Sequence, residues 1–86
     1  MKRDRVEIIS EILNICIKGA SKTHIVYQAN LNFKTVDPYL MLLIKNNLIE
    51  ICQGKQVRYK TTERGINLMK NINQLNDTLS EPNMSL

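Results

Sequence analysis

The sequence predicts a mostly helical α+β domain in which three helices are followed by a β-hairpin and a closing helix. Two observations carry this. Apolar residues recur at helical spacing in successive stretches, and before the last stretch two short segments alternate apolar and polar residues around a glycine-containing turn. A chain of 86 residues fits one domain with one core, expected over residues 1–79, and has little room for a substrate cleft beside that core.

From Arg5 to Lys18 no proline or glycine interrupts the chain, and Val6, Ile8, Ile9, Ile12, Leu13, Ile15, Cys16 and Ile17 cover an arc of roughly 200° on a helical wheel. Such a helix has two flanks to bury, and Gly19 is expected to cap its end. Ser21 or Thr23 can cap a short second helix that turns Ile25, Val26 and Ala29 inward. After the polar turn Asn30-Leu31-Asn32, a third helical pattern places Val36, Leu40, Leu43 and Ile44 on one side. Two helices joined by so short a turn form a helix-turn-helix unit. Pro38 belongs in the first turn of a helix, so a start near Thr35, with Thr35 or Asp37 as the cap, is favoured over a cap at Asn32, which would require a kink, and the helix is expected to end near Asn46-Asn47.

Residues 48–52 and 57–61 read as strands joined by Gln53-Gly54-Lys55-Gln56. Ile49, Ile51, Val57 and Tyr59 are expected to face the core, with Glu50, Arg58 and Lys60 outward and Glu50 able to pair with Arg58. Thr62 should cap a last helix carrying Ile66, Leu68, Met69, Ile72, Leu75 and Leu79, while residues 80–86 are expected to be disordered. Helix, helix, helix, hairpin, helix is the order of a winged helix-turn-helix, in which the hairpin is the wing beside the recognition helix; a three-helix bundle with an added hairpin would give the same order.

Composition narrows the function classes. With 43% hydrophobic and 23% charged residues and no apolar run near the roughly 18 residues of a membrane span, the chain reads as a non-membrane protein. The basic start Met1-Lys2-Arg3-Asp4-Arg5 is not followed by a signal peptide's apolar stretch, so a cytoplasmic location is expected. Cys16 and Cys52, with neither CxxC spacing nor a nearby histidine pair, are expected to be reduced packing residues; no metal site and no cofactor are expected. No glycine-rich phosphate loop, fixed nucleophile motif or carboxylate pair supports catalysis.

The net charge of +4 is concentrated in the middle of the chain. Residues 21–47 carry three basic and one acidic group and residues 48–60 again three and one, whereas residues 61–86 carry two and three. A basic excess over the helix-turn-helix and the hairpin suits a surface that meets phosphate.

Several runs also carry a resemblance: Arg5-x-Glu7-Ile8-Ile9-x-x-Ile12-Leu13, Gly19-Ala20-x-Lys22-Thr23-x-Ile25-x-Tyr27-x-Ala29-x-Leu31, Tyr39-Leu40-x-x-Leu43, Leu48-Ile49, and Tyr59-Lys60-x-Thr62-Glu63-x-Gly65. Together, over about residues 3–75, they closely resemble the small archaeal winged helix-turn-helix DNA-binding proteins, among them the chromatin-associated proteins of the Sulfolobales and thaumarchaeal predicted regulators. The resemblance implies a winged-helix fold, duplex DNA binding, and a dimer held by an antiparallel coiled coil of long C-terminal helices. This chain departs from that pattern in its much shorter last helix and in Pro38, which falls within the recognition-helix region.

The expected function is that of a duplex DNA-binding regulator or chromatin-type binder associated with the nucleoid. In helix-turn-helix proteins the early recognition-helix residues reach base edges, while the preceding helix and the wing touch phosphates. The first group is then Asn32, Lys34 and Thr35, with Tyr39 beside them; the second is Lys22 and His24 at the start of the second helix and Lys55 and Arg58 on the wing. Leu68, Ile72, Leu75 and Leu79 follow a coiled-coil seam, which with the Ile8, Ile12 and Ile15 flank predicts a homodimer. The alternative is a winged-helix protein–protein interaction module without direct DNA contact, using Met41, Leu42 and the same seam.

Overall fold

The computed structural model describes residues 4–79, without the side chains at positions 76, 77 and 79. Its elements are α1 (Arg5–Ile15), α2 (Lys22–Ala29), α3 (Phe33–Lys45), β1 (Ile49–Gln53), β2 (Val57–Thr61) and α4 (Glu63–Leu79), in the order expected. The tail expected to be disordered, residues 80–86, lies outside the described residues. No described helix is long and apolar enough to cross a membrane.

α1 packs against both α2 and α4, and its apolar arc supplies much of the core: Ile12, Leu13 and Cys16 are fully buried, with Ile25 of α2, Val36 and Leu43 of α3 and Ile49 of β1 around them. Asp4 opens the helix by accepting the Glu7 amide at 2.8 Å. The helix stops at Ile15, earlier than the expected Lys18, because the backbone beyond it is drawn into other bonds. The Cys16 carbonyl accepts the Gly19 amide at 3.0 Å and the Thr61 amide of β2 at 3.0 Å. Gly19 then turns the chain at φ +89°, which only glycine adopts without strain.

That turn delivers Ala20 to the edge of the hairpin, where its amide donates to the Tyr59 carbonyl at 2.9 Å and the Tyr59 amide donates back at 2.8 Å. The Thr61 hydroxyl, buried, donates to the Leu13 carbonyl at 2.6 Å. The root of the hairpin is therefore fixed to the α1–α2 junction by backbone and side-chain bonds together.

Ser21 caps α2, accepting the His24 amide at 3.2 Å. Asn30 closes it in the left-handed conformation, with Leu31 donating to the Val26 carbonyl at 3.1 Å and Asn30 to Tyr27 at 3.2 Å. Only Asn30, Leu31 and Asn32 separate α2 from α3.

α3 corrects the expected start near Thr35. Its cap is Asn32, whose side-chain oxygen accepts the Thr35 amide at 2.8 Å, so Pro38 sits inside the helix rather than in its first turn. Proline has no amide to give the Lys34 carbonyl. The helix nonetheless persists, since Val36, Leu40 and Leu43 on either side of Pro38 are buried and hold it to the core. Asp37 is accordingly not a cap. At its far end Leu48 donates to Leu43 at 2.8 Å and Asn47 to Ile44 at 3.0 Å, with Asn47 left-handed at φ 60°.

β1 and β2 pair antiparallel, with Ile49 opposite Thr61, Ile51 opposite Tyr59 and Gln53 opposite Val57. The face expected to be buried is covered only at its root, where Ile49 and Thr61 are buried and Tyr59 is half-buried. Ile51 and Val57 are 45% and 48% exposed, because the strands run out past the helices that would cover them. Glu50 lies directly opposite Lys60, with Arg58 on the diagonal of the same face, and the bond that Arg58 makes is to the Gly19 carbonyl rather than to Glu50.

α4 begins where Thr62 uses one hydroxyl twice, accepting the Gly65 amide at 3.0 Å and donating to the Asn47 carbonyl at 2.7 Å. Leu68 and Met69 pack on the core, Ile72 is half-buried, and Leu75 is 58% exposed.

Burial pushes the Cys16 thiol up from 9.0 to about 12. A thiol reagent at pH 8 is expected to label half-buried Cys52 promptly and Cys16 only on unfolding, as counted by mass spectrometry; equal labelling of both in the native protein would contradict this burial. Because the thiol stays protonated longer in the folded state, its contribution to stability is complete below about pH 9 and is lost as pH rises towards about 12.

Candidate nucleic-acid interface

α3 presents an outward stripe whose spacing of four, three and four residues keeps Lys34, Pro38, Met41 and Lys45 on one side, opposite buried Val36, Leu40 and Leu43. All four are exposed, Met41 to 72%. From Lys34 to Lys45 the stripe is about 16 Å long at a helical rise of about 1.5 Å per residue. Asp37, Met41 and Ile44 lean from one flank toward the wing and, with Leu40, Lys22, Ile51 and Tyr59, line an open groove of about 350 Å³. Met41 belongs to both, so the stripe and the wing border one surface. On the other flank Tyr39 and Leu42 turn toward Arg5 of α1.

The wing tip is a three-residue turn, Gly54-Lys55-Gln56, and Lys55 and Arg58 line the same concavity beside Cys52 and Gln53. Arg58 donates to the Gly19 carbonyl at 3.4 Å, which sets its guanidinium near the α1–α2 turn while leaving it exposed.

The residues singled out in the sequence divide into groups. Lys34 is exposed on the α3 stripe; Lys55 and Arg58 stand exposed on the wing. Asn32 is exposed but spends its side-chain oxygen on the helix cap, and Thr35, half-buried, supplies the amide that it takes. Tyr39 is half-buried against the core, on the flank away from the wing. His24 is exposed at the start of α2. Lys22 lies in an ion pair with Asp37 at 2.7 Å, and the carboxylate's hydrogen bond raises the lysine pKa above its usual value. The lysine charge is thus matched before any phosphate arrives. Of the seam, Ile8 and Ile12 lie in the chain's own core and Ile15 is half-buried against it, which leaves Leu75, and Leu68 and Ile72 in part, as the apolar surface of α4. The Leu79 side chain is outside the described residues.

Lys45, Pro38 and Ile51 were not singled out as site residues by sequence reasoning. The first two were legible in the spacing of the exposed stripe; Ile51 was assigned to the core by its alternation.

A helix-turn-helix with a three-residue turn, backed by α1 and flanked by a root-anchored basic hairpin, defines a winged helix-turn-helix domain. The winged helix-turn-helix family model matches residues 2–80, and the chain belongs to that family. Among curated proteins it is similar to MJ0287 of Methanocaldococcus jannaschii, 36% identical over 75 residues that make up 86% of this chain and 74% of that one. MJ0290 of the same organism is 37% identical over 76 residues, though the chain spans only 35% of its length. Among solved structures, Sso10a-2, a DNA-binding protein from Sulfolobus solfataricus, superposes with a TM-score of 0.80 at 27% identity, covering 88% of this chain and 81% of that one. Bordetella bronchiseptica BpsR, at 17% identity and a TM-score of 0.63 over 96% of this chain and 67% of that one, shares the fold.

Proposed function

We propose that this chain is a duplex DNA-binding protein, a transcriptional regulator or chromatin-type binder, that lays α3 in the major groove and reaches the backbone with its wing. The observation that carries this reading is the groove in which α3 meets the wing, lined by Lys22, Met41, Ile44, Ile51 and Tyr59, with the exposed Lys34 and Lys45 on the helix beside it and the exposed cations Lys55 and Arg58 on the wing. Its similarity to the Sulfolobus DNA-binding protein supports the same reading. The stripe fits a major groove about 12 Å wide. No arginine stands on α3, so the bidentate arginine–guanine contact is not available there and affinity comes chiefly from phosphate. The chain acts as a binder rather than an enzyme, inside the cell at the nucleoid. Anisotropy titrations of a labelled duplex between about 50 and 200 mM salt test this directly, because phosphate binding weakens steeply over that range. A chain with no salt-sensitive affinity for any duplex is not a DNA-binding protein. Genome-wide occupancy of the tagged protein then separates the two roles, discrete peaks marking a regulator and broad coverage a chromatin protein.

Asp37 opposes phosphate and holds Lys22. Asp37→Asn is therefore expected to raise duplex affinity about two- to tenfold and to steepen the salt slope by about one, by freeing one lysine. An unchanged slope would mean that Lys22 is not positioned to meet phosphate.

The partly exposed α4 seam of Leu68, Ile72 and Leu75 supports a homodimer through this helix. Sedimentation at tens of micromolar should show two copies, and Leu75→Lys should give monomer; a monomeric wild type would reject the dimer.

A further inference from the structure

The outward face of α3 is chemically unusual for a surface that meets DNA. At its two ends stand lysines, Lys34 and Lys45, and between them only Pro38 and Met41, the latter 72% exposed. The asparagine side chains near the ends each have one atom engaged in the helix itself. Asn32 accepts the Thr35 amide at 2.8 Å, Asn46 donates its side-chain nitrogen to the Leu42 carbonyl at 2.8 Å, and on the flank Asp37 is paired with Lys22. The middle of this outward stripe therefore has no side-chain donor or acceptor to read a base edge, and its apolar surface continues through Ile44 and Ile51 in the groove toward the wing.

A duplex offers one apolar group to a helix lying in its major groove, the 5-methyl of thymine, and offers nothing of the kind in the minor groove. The lysines bracketing the apolar centre match the phosphates on the groove's two sides. Methionine suits the contact because its unbranched thioether can follow a methyl group whose position shifts from step to step. We propose that Met41, with Pro38 beside it, reads thymine methyl groups in the major groove and is the specificity-determining residue of α3, biasing the chain toward thymine-rich duplex. The inference rests on the DNA-binding reading and adds to it the base feature that is recognised.

The test uses two duplexes of about 20 base pairs of alternating adenine and thymine, identical except that one carries deoxyuridine for every thymidine. Each is about four times longer than the stripe at about 3.4 Å per base pair, so every register presents methyl groups to α3. The full chain is expected to bind the thymine duplex about fourfold more tightly for each methyl it covers. Met41→Gln, at an exposed position, should fold normally, keep the wild-type salt slope and bind both duplexes equally. Equal affinity of the wild type for the two duplexes would overturn the inference while leaving DNA binding intact. So would a thymine preference that persists in Met41→Gln, since the preference would then arise from duplex shape or another residue. No salt-sensitive binding to either duplex would remove the DNA reading itself, and this inference with it.

Discussion

Gly65→Ala is expected to destabilise the domain by about 2–3 kcal/mol, lowering its melting temperature by about 10 °C or more. On helix propensity alone the substitution should help, since alanine exceeds glycine by up to about 1 kcal/mol inside a helix. The local geometry reverses the sign. A β-carbon on Gly65 would meet the Leu48 carbonyl oxygen at 2.3 Å and the Thr61 methyl at 2.7 Å, and the first of these is backbone that cannot swing aside. That carbonyl also accepts the Thr62 amide at 3.0 Å, so moving it disturbs the start of α4. Gly54 at the wing provides the control, because a β-carbon there meets nothing within 4 Å and Gly54→Ala should stay within about 0.5 kcal/mol of wild type. Thermal melts followed by circular dichroism decide it; a Gly65→Ala protein as stable as wild type would mean that α4 does not approach the 47–48 turn this closely.

Removing both wing cations, Lys55→Gln with Arg58→Gln, is expected to weaken binding to every duplex about tenfold at physiological salt. Each cation that neutralises a phosphate releases condensed counterions, so a variant without these two should show a log–log salt slope flatter by about two. In practice a fourfold rise in salt would cost wild type about twelvefold more affinity than it costs the variant. Both residues are exposed, and the 3.4 Å bond from Arg58 to Gly19 is long, so stability should change little. If the folded double variant kept the wild-type slope, the wing would not touch phosphate and α3 alone would carry the charge-dependent binding.

The element order was legible in the sequence because each element carries its own local signal. Ser21 and Thr62 cap where their hydroxyls predict, and the apolar periods of α1 and α3 identify Ile12, Leu13, Val36, Leu40 and Leu43 as core. Pro38 misled because a local rule against proline inside a helix was weighed without the burial on both sides of it that outweighs the missing bond. Ile51 and Val57 show another limit, since alternation marks which face of a strand is apolar but not how far along that face its cover extends. The Lys22–Asp37 pair and the Ala20–Tyr59 bridge join distant positions, the second through backbone atoms that leave no trace in residue type. The candidate site was accordingly legible as a set of exposed cations, Lys34, Lys55 and Arg58, while the engagement of Asn32 and Lys22 elsewhere was not.

The bonds that join Ala20 to Tyr59 and Thr61 to Cys16 and Leu13 lie together at the root of the hairpin, whereas its tip holds little beyond a 3.4 Å bond between Gly54 and Gln56. The hairpin is therefore a cantilever, clamped at one end and compliant at the other. Amide hydrogens at Ala20, Tyr59 and Thr61 should exchange with solvent only when the whole molecule opens, while those at residues 54–56 exchange freely from the native state. A compliant tip on a fixed root can adjust to grooves of different width without re-aiming the helix beside it.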